Sequence, residues 1–423
     1  MCTLRAGLLI ALVATMAGLP DCAIADALQG TGDAASTADS FGGKSSVPTQ
    51  IAAAKARQAE PMFADDTKDY YAFKDRLNAE KGFSFGGDLN FLTQHASSSP
   101  GPRDATGGVV RFYGTWTATG RGTSDTGSLI FKVENRSKIG GDIPPQALGP
   151  TAGYAGLTSV TFSDADWLLT NLYWQQSFDD NAVSFVAGIV DTTDYVDAFA
   201  LGNPWTDFNN LAFSTNPTIP APNQGLGLAG RVRFADHYFA LAGIADATGR
   251  PDDPFKGIED LFDTGETFKH IAIGWFSSWA KRFDDNVQLT AWQIDARSAA
   301  GIGSGSGAAL SASTKLDSGW APFFRAGYAD GGGAFVDRSI SIGTGYDLFG
   351  GRDLVAVGLN WGRAPKSTGA PGPRDQHTAE LFYRYQPFSN LQLTPGIQLI
   401  ANPANDRSQD LLAVFAFRAR ATF

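Results

Sequence analysis

The stretch Leu411–Phe423 reads LLAVFAFRARATF. Phe415, Phe417, Ala419, Ala421 and Phe423 fall on odd positions, and Arg418, Arg420 and Thr422 on even ones. A period of two sends successive side chains to opposite faces of a strand. One face is therefore apolar and the other carries two arginines. A slip of one residue would exchange the faces, so the arginines specify register as well as charge.

The same alternation recurs upstream. In GVVRFYGTWTATG, Val110, Phe112 and Trp116 oppose Arg111, Tyr113, Thr115, Thr117 and Thr119. In SLIFKVENR, Leu129, Phe131 and Val133 oppose Lys132, Glu134 and Arg136; in HTAELFYRYQ, Ala379, Leu381, Tyr383 and Tyr385 oppose Thr378, Glu380, Phe382, Arg384 and Gln386. In DLVAVGLNWG, Val355, Val357, Leu359 and Trp361 face away from Ala356, Gly358 and Asn360. Between such runs, short connections (121–126, 179–181, 235–236, 284–286, 317–318, 350–352, 388–390) alternate with long ones (96–107, 137–166, 192–225, 248–267, 298–306, 330–336, 364–375, 402–409). Seven short and eight long connections imply sixteen strands, with the one around 307–316 required chiefly by the count.

The start of the chain sets the compartment. Arg5, the apolar run Ala6–Leu19 and the small residues Ala23 and Ala25 read as a secretory signal over 1–25, cleaved before Asp26. A lipoprotein reading at Cys22 fits less well, because Asp21 precedes the cysteine. Cys2 and Cys22 both lie in this segment, so the mature chain has no disulfide or cysteine metal site. Residues 26–82 read as a flexible mature N-terminus, rich in small and polar residues over 26–60. A short helix over about 67–80 lies within it, where Tyr70, Phe73 and Leu77 recur at helical spacing before Gly82. Its apolar stripe points to docking on a neighbour. Residues 83–423 form the strand-bearing domain.

No run after the signal reaches the roughly 18 apolar residues of a membrane helix. An exported chain of this kind is either a soluble β-protein or an outer-membrane barrel. Strict alternation of tight turns and long loops with an even strand count selects the second. The fold class expected is all-β, a transmembrane antiparallel β-barrel of about 16 strands with a short N-terminal periplasmic helix. Only helices and closed barrels satisfy every backbone group in hydrocarbon. Phe178, Phe234, Phe283, Phe349 and Phe388, each beside a short turn, fit an aromatic girdle on one rim. A barrel this wide leaves a wet lumen, and the charged face of each strand must line it.

Three stretches then resemble the carbohydrate-selective porin (OprB) family. These are LYWQQSF (172–178) leading into VAGIVDTTDYVDAFA (186–200), FNNLAFSTNPTIPAPNQGLGLAGRVRF (208–234), and ELFYRYQPFSNLQLTPGIQLIANPAND (380–406) with the strand after it. The resemblance implies an outer-membrane barrel that admits sugars by facilitated diffusion, with an N-terminal helix matching 67–80. It also implies that the end at Phe423 is presented to the barrel-assembly machinery. Sugars and outer-membrane lipid are the expected partners, a homo-oligomer is left open, and no cofactor or metal is called for.

A sugar pore needs arginine, carboxylate and amide groups for hydroxyls and an aromatic ring for the sugar face, bound weakly enough to release. The long connection 192–225 is the third long loop, and by analogy with general porins it folds inward to narrow the channel. It carries Asp194, Asp197, Trp205, Asp207, Asn209 and Asn210. Trp205 is either a stacking platform or a residue packing the loop against the wall. The inward strand positions Arg111, Tyr113, Lys132, Glu134, Arg136, Arg231, Arg233, Glu380, Phe382, Arg384, Arg418 and Arg420 complete the expected lining, with Arg111, Glu134, Arg231, Arg233 and Arg384 favoured. The alternative for each is pairing within the wall.

Other chemistries fit worse. A net charge of −10 disfavours nucleic acid. Gly225, Gly227 and Gly230 spell G-x-G-x-x-G but lead into a strand, and GIGSGSG (301–307) is followed by no Lys-Ser/Thr. His95, His237, His270 and His377 are read as scattered at strand ends, without metal spacing. A barrel enzyme would need a nucleophile, base and orienter, and no G-x-S-x-G is present. A porin for organic anions is the closest competitor, favoured by the arginines and opposed by Glu134, Glu380 and the acidic loop.

Overall fold

The computed structural model describes residues 40–56, 67–365 and 374–423. The segment read as a signal lies outside the described residues. Sixteen antiparallel strands close on themselves, each paired with its sequence neighbours and the first with the last. They are β1 Phe83–Ala96, β2 Asp104–Thr119, β3 Gly127–Lys138, β4 Asp166–Phe178, β5 Val183–Val190, β6 Gly225–Phe234, β7 Tyr238–Asp246 and β8 Thr267–Phe276. The second half comprises β9 Asn286–Ile294, β10 Gly305–Ser313, β11 Trp320–Gly331, β12 Arg338–Leu348, β13 Asp353–Arg363, β14 Asp375–Phe388, β15 Leu391–Ala401 and β16 Leu411–Thr422. The strand required by the count is β10, which is paired along its whole length with β9 and β11.

The period of two holds around the ring. Phe112, Leu228, Ile271, Leu289, Ile342, Leu359, Leu381 and Phe415 are exposed on the outside, where lipid belongs, while Arg111, Glu134, Arg231, Glu380, Arg418 and Arg420 are buried on the inside. At the seam, Asp88 stands opposite Thr422 and Leu92 opposite Arg418. The Gly87 amide donates to the Phe423 carbonyl (2.8 Å) and the Phe423 amide returns the bond (2.9 Å), so no edge is left there.

Phe178, Phe234 and Phe349 are exposed on the short-turn rim, joined by Tyr238 and Trp320. Phe283 departs from that girdle. β8 ends at Phe276, so the expected three-residue turn 284–286 is a longer connection over 277–285. Phe283 there lines an internal recess with Trp279 and Arg282. The segment SSWAKRF has no period of two, so parity could not read it. His270 also departs from expectation: it faces inward within β8 and is buried.

Among the described residues two helices precede the barrel. The first, α1 (Val47–Ala56), buries Val47, Gln50, Ala52 and Ala54. Ser40, Phe41 and Ser46 before it are buried too. Residues 40–56, read as part of a flexible stretch, are thus an ordered segment inside the barrel. They are held through backbone carbonyls, short polar side chains and three apolar residues, Phe41, Val47 and Ile51, packed in an inner apolar cluster, too few for composition to mark. The second, α2 (Lys68–Lys81), stops at Gly82, whose φ of +68° closes the last turn with a bond to the Asn78 carbonyl. It buries no residue, so its stripe does not dock as expected. It meets the short-turn rim through Lys74, 5.0 Å from the Phe85 ring centre, and through Arg121, which donates to the Glu80 carbonyl (3.0 Å).

The faces of β16 give a direct test. Phe417→Arg, half-way along the lipid face, should destabilise the barrel by roughly 2–4 kcal/mol, and Ala421→Arg near the rim by about 0–1 kcal/mol. Urea unfolding in lipid vesicles measures both; equal losses would contradict the assigned depth.

Candidate functional site

The inward faces converge on the third long connection. Residues 191–224 fold into the lumen and contain a short helix, α4 (Leu211–Ser214); α3 (Pro145–Thr151) belongs to the second long connection. The Glu380 carboxylate accepts from the Asn209 and Asn210 amides, both at 2.9 Å. Arg418 donates to the Pro204 carbonyl (2.8 Å), the Asp207 carbonyl (2.9 Å) and Asn209 Oδ1 (2.9 Å). Arg384 reaches Asp207 Oδ1 at 3.1 Å. Arg325 pairs with Asp197, and Ser311 donates to Asp197 Oδ1 at 2.5 Å. An apolar seat lies beneath, with Phe208 edge-on to Phe382 at 5.1 Å and Phe213 against Gly358, where a Cβ would meet its ring at 2.7 Å. These strand residues fasten the loop to the wall.

The second long connection, 139–165, is also drawn inward, which sequence did not suggest. Leu148, Ala152, Tyr154 and Phe162 are buried. The Thr158 carbonyl accepts from Gln94 (3.0 Å) and Gln398 (2.8 Å).

A second cluster spans the seam. Asp88 accepts Arg111 Nε (2.7 Å) and Arg420 Nη2 (2.7 Å), and all three side chains are buried. The Arg111 guanidinium lies 3.8 Å from the Trp205 ring centre, and Tyr113 borders it at 5.5 Å. Trp205 itself is buried against Phe162, so it packs the loop against the wall, and its face is covered by the arginine. Next to this cluster Arg136 Nε donates to Glu134 (2.7 Å), and Lys132 Nζ stands 3.9 Å from both Glu134 and Asp194. Burial pushes the Asp194 carboxyl up to about 6, with Lys132 opposing, so this loop carboxylate is only partly compensated.

The third cluster is the recess at the short-turn end. Trp279 stands within a ring of guanidiniums: Arg282 at 4.2 Å, Arg231 at 4.7 Å and Arg233 at 5.1 Å from its centre. Phe41, Tyr195, Phe239, Phe276, Asn286 and Gln288 are among the other walls of a cavity of about 30 Å³. Arg231 donates to the Phe41 carbonyl (2.9 Å) and Ser184 Oγ (3.2 Å), and Arg233 to the Asp180 carbonyl (3.1 Å). Among the described residues neither is paired with a carboxylate.

Of the expected lining, Arg136, Arg233 and Arg384 are half-buried and the other named residues are buried. The structure brings Arg111 and Arg420 together on Asp88, and gathers Glu380, Phe382, Arg384 and Arg418 on the loop. Arg231 lines the recess, and Arg233 approaches Trp279 beside it. Asp88, Arg325, Trp279 and Arg282 were missed. Parity would have found the first two, since Asp88 shares a face with Asn90, Leu92 and Gln94, and Arg325 with Phe323. Nothing in the sequence marked the other two.

Residues 272–423 match the model of the carbohydrate-selective porin, OprB family. The stretch at 380–406 that suggested this family lies in the matched span, and those at 172–200 and 208–234 lie before it. No curated protein matches the chain. The high-pH structure of Pseudomonas putida OprB has a TM-score of 0.66 at 14% identity, with 84% of this chain and 97% of that one covered. A loop L8 deletion mutant of OmpT, an outer membrane protein of Vibrio cholerae, has a TM-score of 0.50 at 13% identity, with 81% and 99% covered. The fold is that of an outer-membrane porin barrel.

Removing the shared carboxylate by Asp88→Ala should cost roughly 3–5 kcal/mol, because two buried guanidiniums are left uncompensated. Urea unfolding reads this directly. A loss of about 0–1 kcal/mol, the range of an exposed ion pair, would show the cluster to be hydrated.

Proposed function

We propose that this barrel, whose C-terminal part carries the match to carbohydrate-selective porins, conducts carbohydrates across the outer membrane by facilitated diffusion. The observation that carries the reading is the recess around Trp279. It combines an indole, guanidiniums from Arg231, Arg233 and Arg282, and the amides of Asn286 and Gln288. Guanidinium and amide donors suit a sugar's hydroxyls, and the indole gathers the guanidiniums around the recess. Arg136, Arg233 and Arg384, half-buried on the inner face, extend the polar track. No step of bond making is needed, only binding weak enough to release.

A second reading, a pore for small organic anions, is favoured by one observation: Arg231 and Arg233 have no carboxylate partner among the described residues. Liposome swelling with mono- and disaccharides, set beside size-matched organic anions, separates the two. We expect faster sugar entry and block of ion current by sugar, both reduced by Arg231→Ala with Arg233→Ala. Equal rates without block would defeat sugar selectivity, and faster anion entry would favour the anion reading.

The proposal extends to assembly. Phe423 points outward and its backbone completes the seam, an end suited to capture by barrel-assembly machinery. Deleting Phe423 should lower the amount of folded, heat-modifiable barrel in the membrane, with the conductance of the surviving channels unchanged. Normal insertion would contradict this role.

A further inference from the structure

The recess assigned to solute already has an occupant from the same chain. The Ser40 and Phe41 carbonyls accept from Arg282 (3.2 Å) and Arg231 (2.9 Å). The Phe41 ring centre lies 4.9 Å from the Arg231 guanidinium and edge-on to Tyr195 at 5.4 Å. The Gly43 amide donates to the Asp194 carbonyl (2.6 Å), Ser45 Oγ to Asp194 Oδ1 (2.9 Å), and Lys44 Nζ pairs with Asp284 in the 277–285 turn (2.7 Å). From there α1 runs along the inner wall of β1–β3, and Gln50 accepts from Arg111 at 2.7 Å. Its far end faces the short-turn rim, where Lys55 meets Asp75 of α2 at 3.1 Å.

Two features of this seat stand out. With Phe41 in place the recess keeps only about 30 Å³, room for roughly two or three water molecules at about 10–15 Å³ each and far less than a sugar ring needs. The leading end of the segment, Ser40 and Phe41, is also held by hydrogen bonds from guanidiniums to its carbonyl oxygens. A polyol offers oxygens of the same kind to the same donors, so it can replace those bonds one for one.

We propose that residues 40–56 are a tethered plug seated in the solute's own site, so that plug and solute are mutually exclusive occupants of the lumen. This rests on the sugar-pore reading for the nature of the competitor, but the occlusion itself does not. The plug enters from the short-turn side, and solute reaching Arg231, Arg282 and Trp279 releases it. Withdrawal needs no change in the barrel wall, because the chain continues to α2, which meets the short-turn rim.

A reversible lock tests the proposal. A Cβ added at Gly43 would stand 2.7 Å from the Ala198 Cβ. Cβ atoms in a disulfide are about 3.8 Å apart, so Gly43→Cys with Ala198→Cys needs only a slight retreat to pin the plug to the third loop. Folded barrel, verified by heat-modifiability, is compared in planar bilayers and in glucose swelling when oxidised, when reduced with dithiothreitol, and beside a variant lacking residues 40–56. The oxidised channel should fall to near-background conductance and glucose flux and recover on reduction, and the deletion should conduct more than the parent. Equal conductance with and without a verified cross-link, or a deletion that conducts no more than the parent, overturns the plug. If no cross-link forms, the deletion arm decides alone. A deletion that conducts ions freely but passes glucose no faster than a size-matched anion supports the plug and defeats the sugar reading; failure of both is seen as a deletion identical to the parent with no solute preference.

Discussion

One carboxylate lies where the barrel closes. Asp88 is on the first strand, Arg111 on the second and Arg420 on the last, and the two guanidiniums meet on it with no exposed atom among them to speak of. A buried ion triad contributes little net stability against an apolar alternative, because desolvation offsets the attraction. Its effect here is positional. It can form only when the first and last strands pair in the observed register, and a slip of one residue would send Arg420 to lipid. Arg111 then passes the constraint inward, to Gln50 on the plug and to Trp205 on the third loop. Wall, loop and plug thus share one electrostatic centre.

The wall was legible because the solvent outside it is so restrictive. A lipid-facing residue must be apolar and its neighbours need not be, so alternation survives even in glycine-rich β10. Tight turns and long loops sort to opposite rims, and the strand count follows. Polar residues were legible only as facing inward. Whether Arg418 would touch solute or the Pro204 carbonyl depends on a loop more than 200 residues away in sequence, and no local period encodes that partner.

The parts that escaped reading are those held by backbone carbonyls. The 277–285 turn has no alternation, and residues 40–56 offer only Phe41, Val47 and Ile51 to an apolar cluster, among small and polar neighbours. Ser40 and Phe41 meet Arg282 and Arg231 through their carbonyl oxygens, which every residue possesses, so side-chain identity says little about that part of the contact. The same holds for the third loop, where Glu380 grips two backbone amides and Arg418 two backbone carbonyls. Glycine at 358 was visible as a gap in a strand, but its purpose, room for Phe213, appears only when the loop is in place.

The closed ring also has a consequence for how the molecule is put together. Residues 40–56 lie inside a wall without a gap, and their carbonyls meet arginines on β6 and in the turn after β8, well away from the seam. Those arginines would otherwise be enclosed with no acceptor from the segment. The guanidiniums and the segment's carbonyls are thus matched as one set of donors and acceptors inside the ring, and the segment screens the positive charge of the lumen wall as well as filling the space.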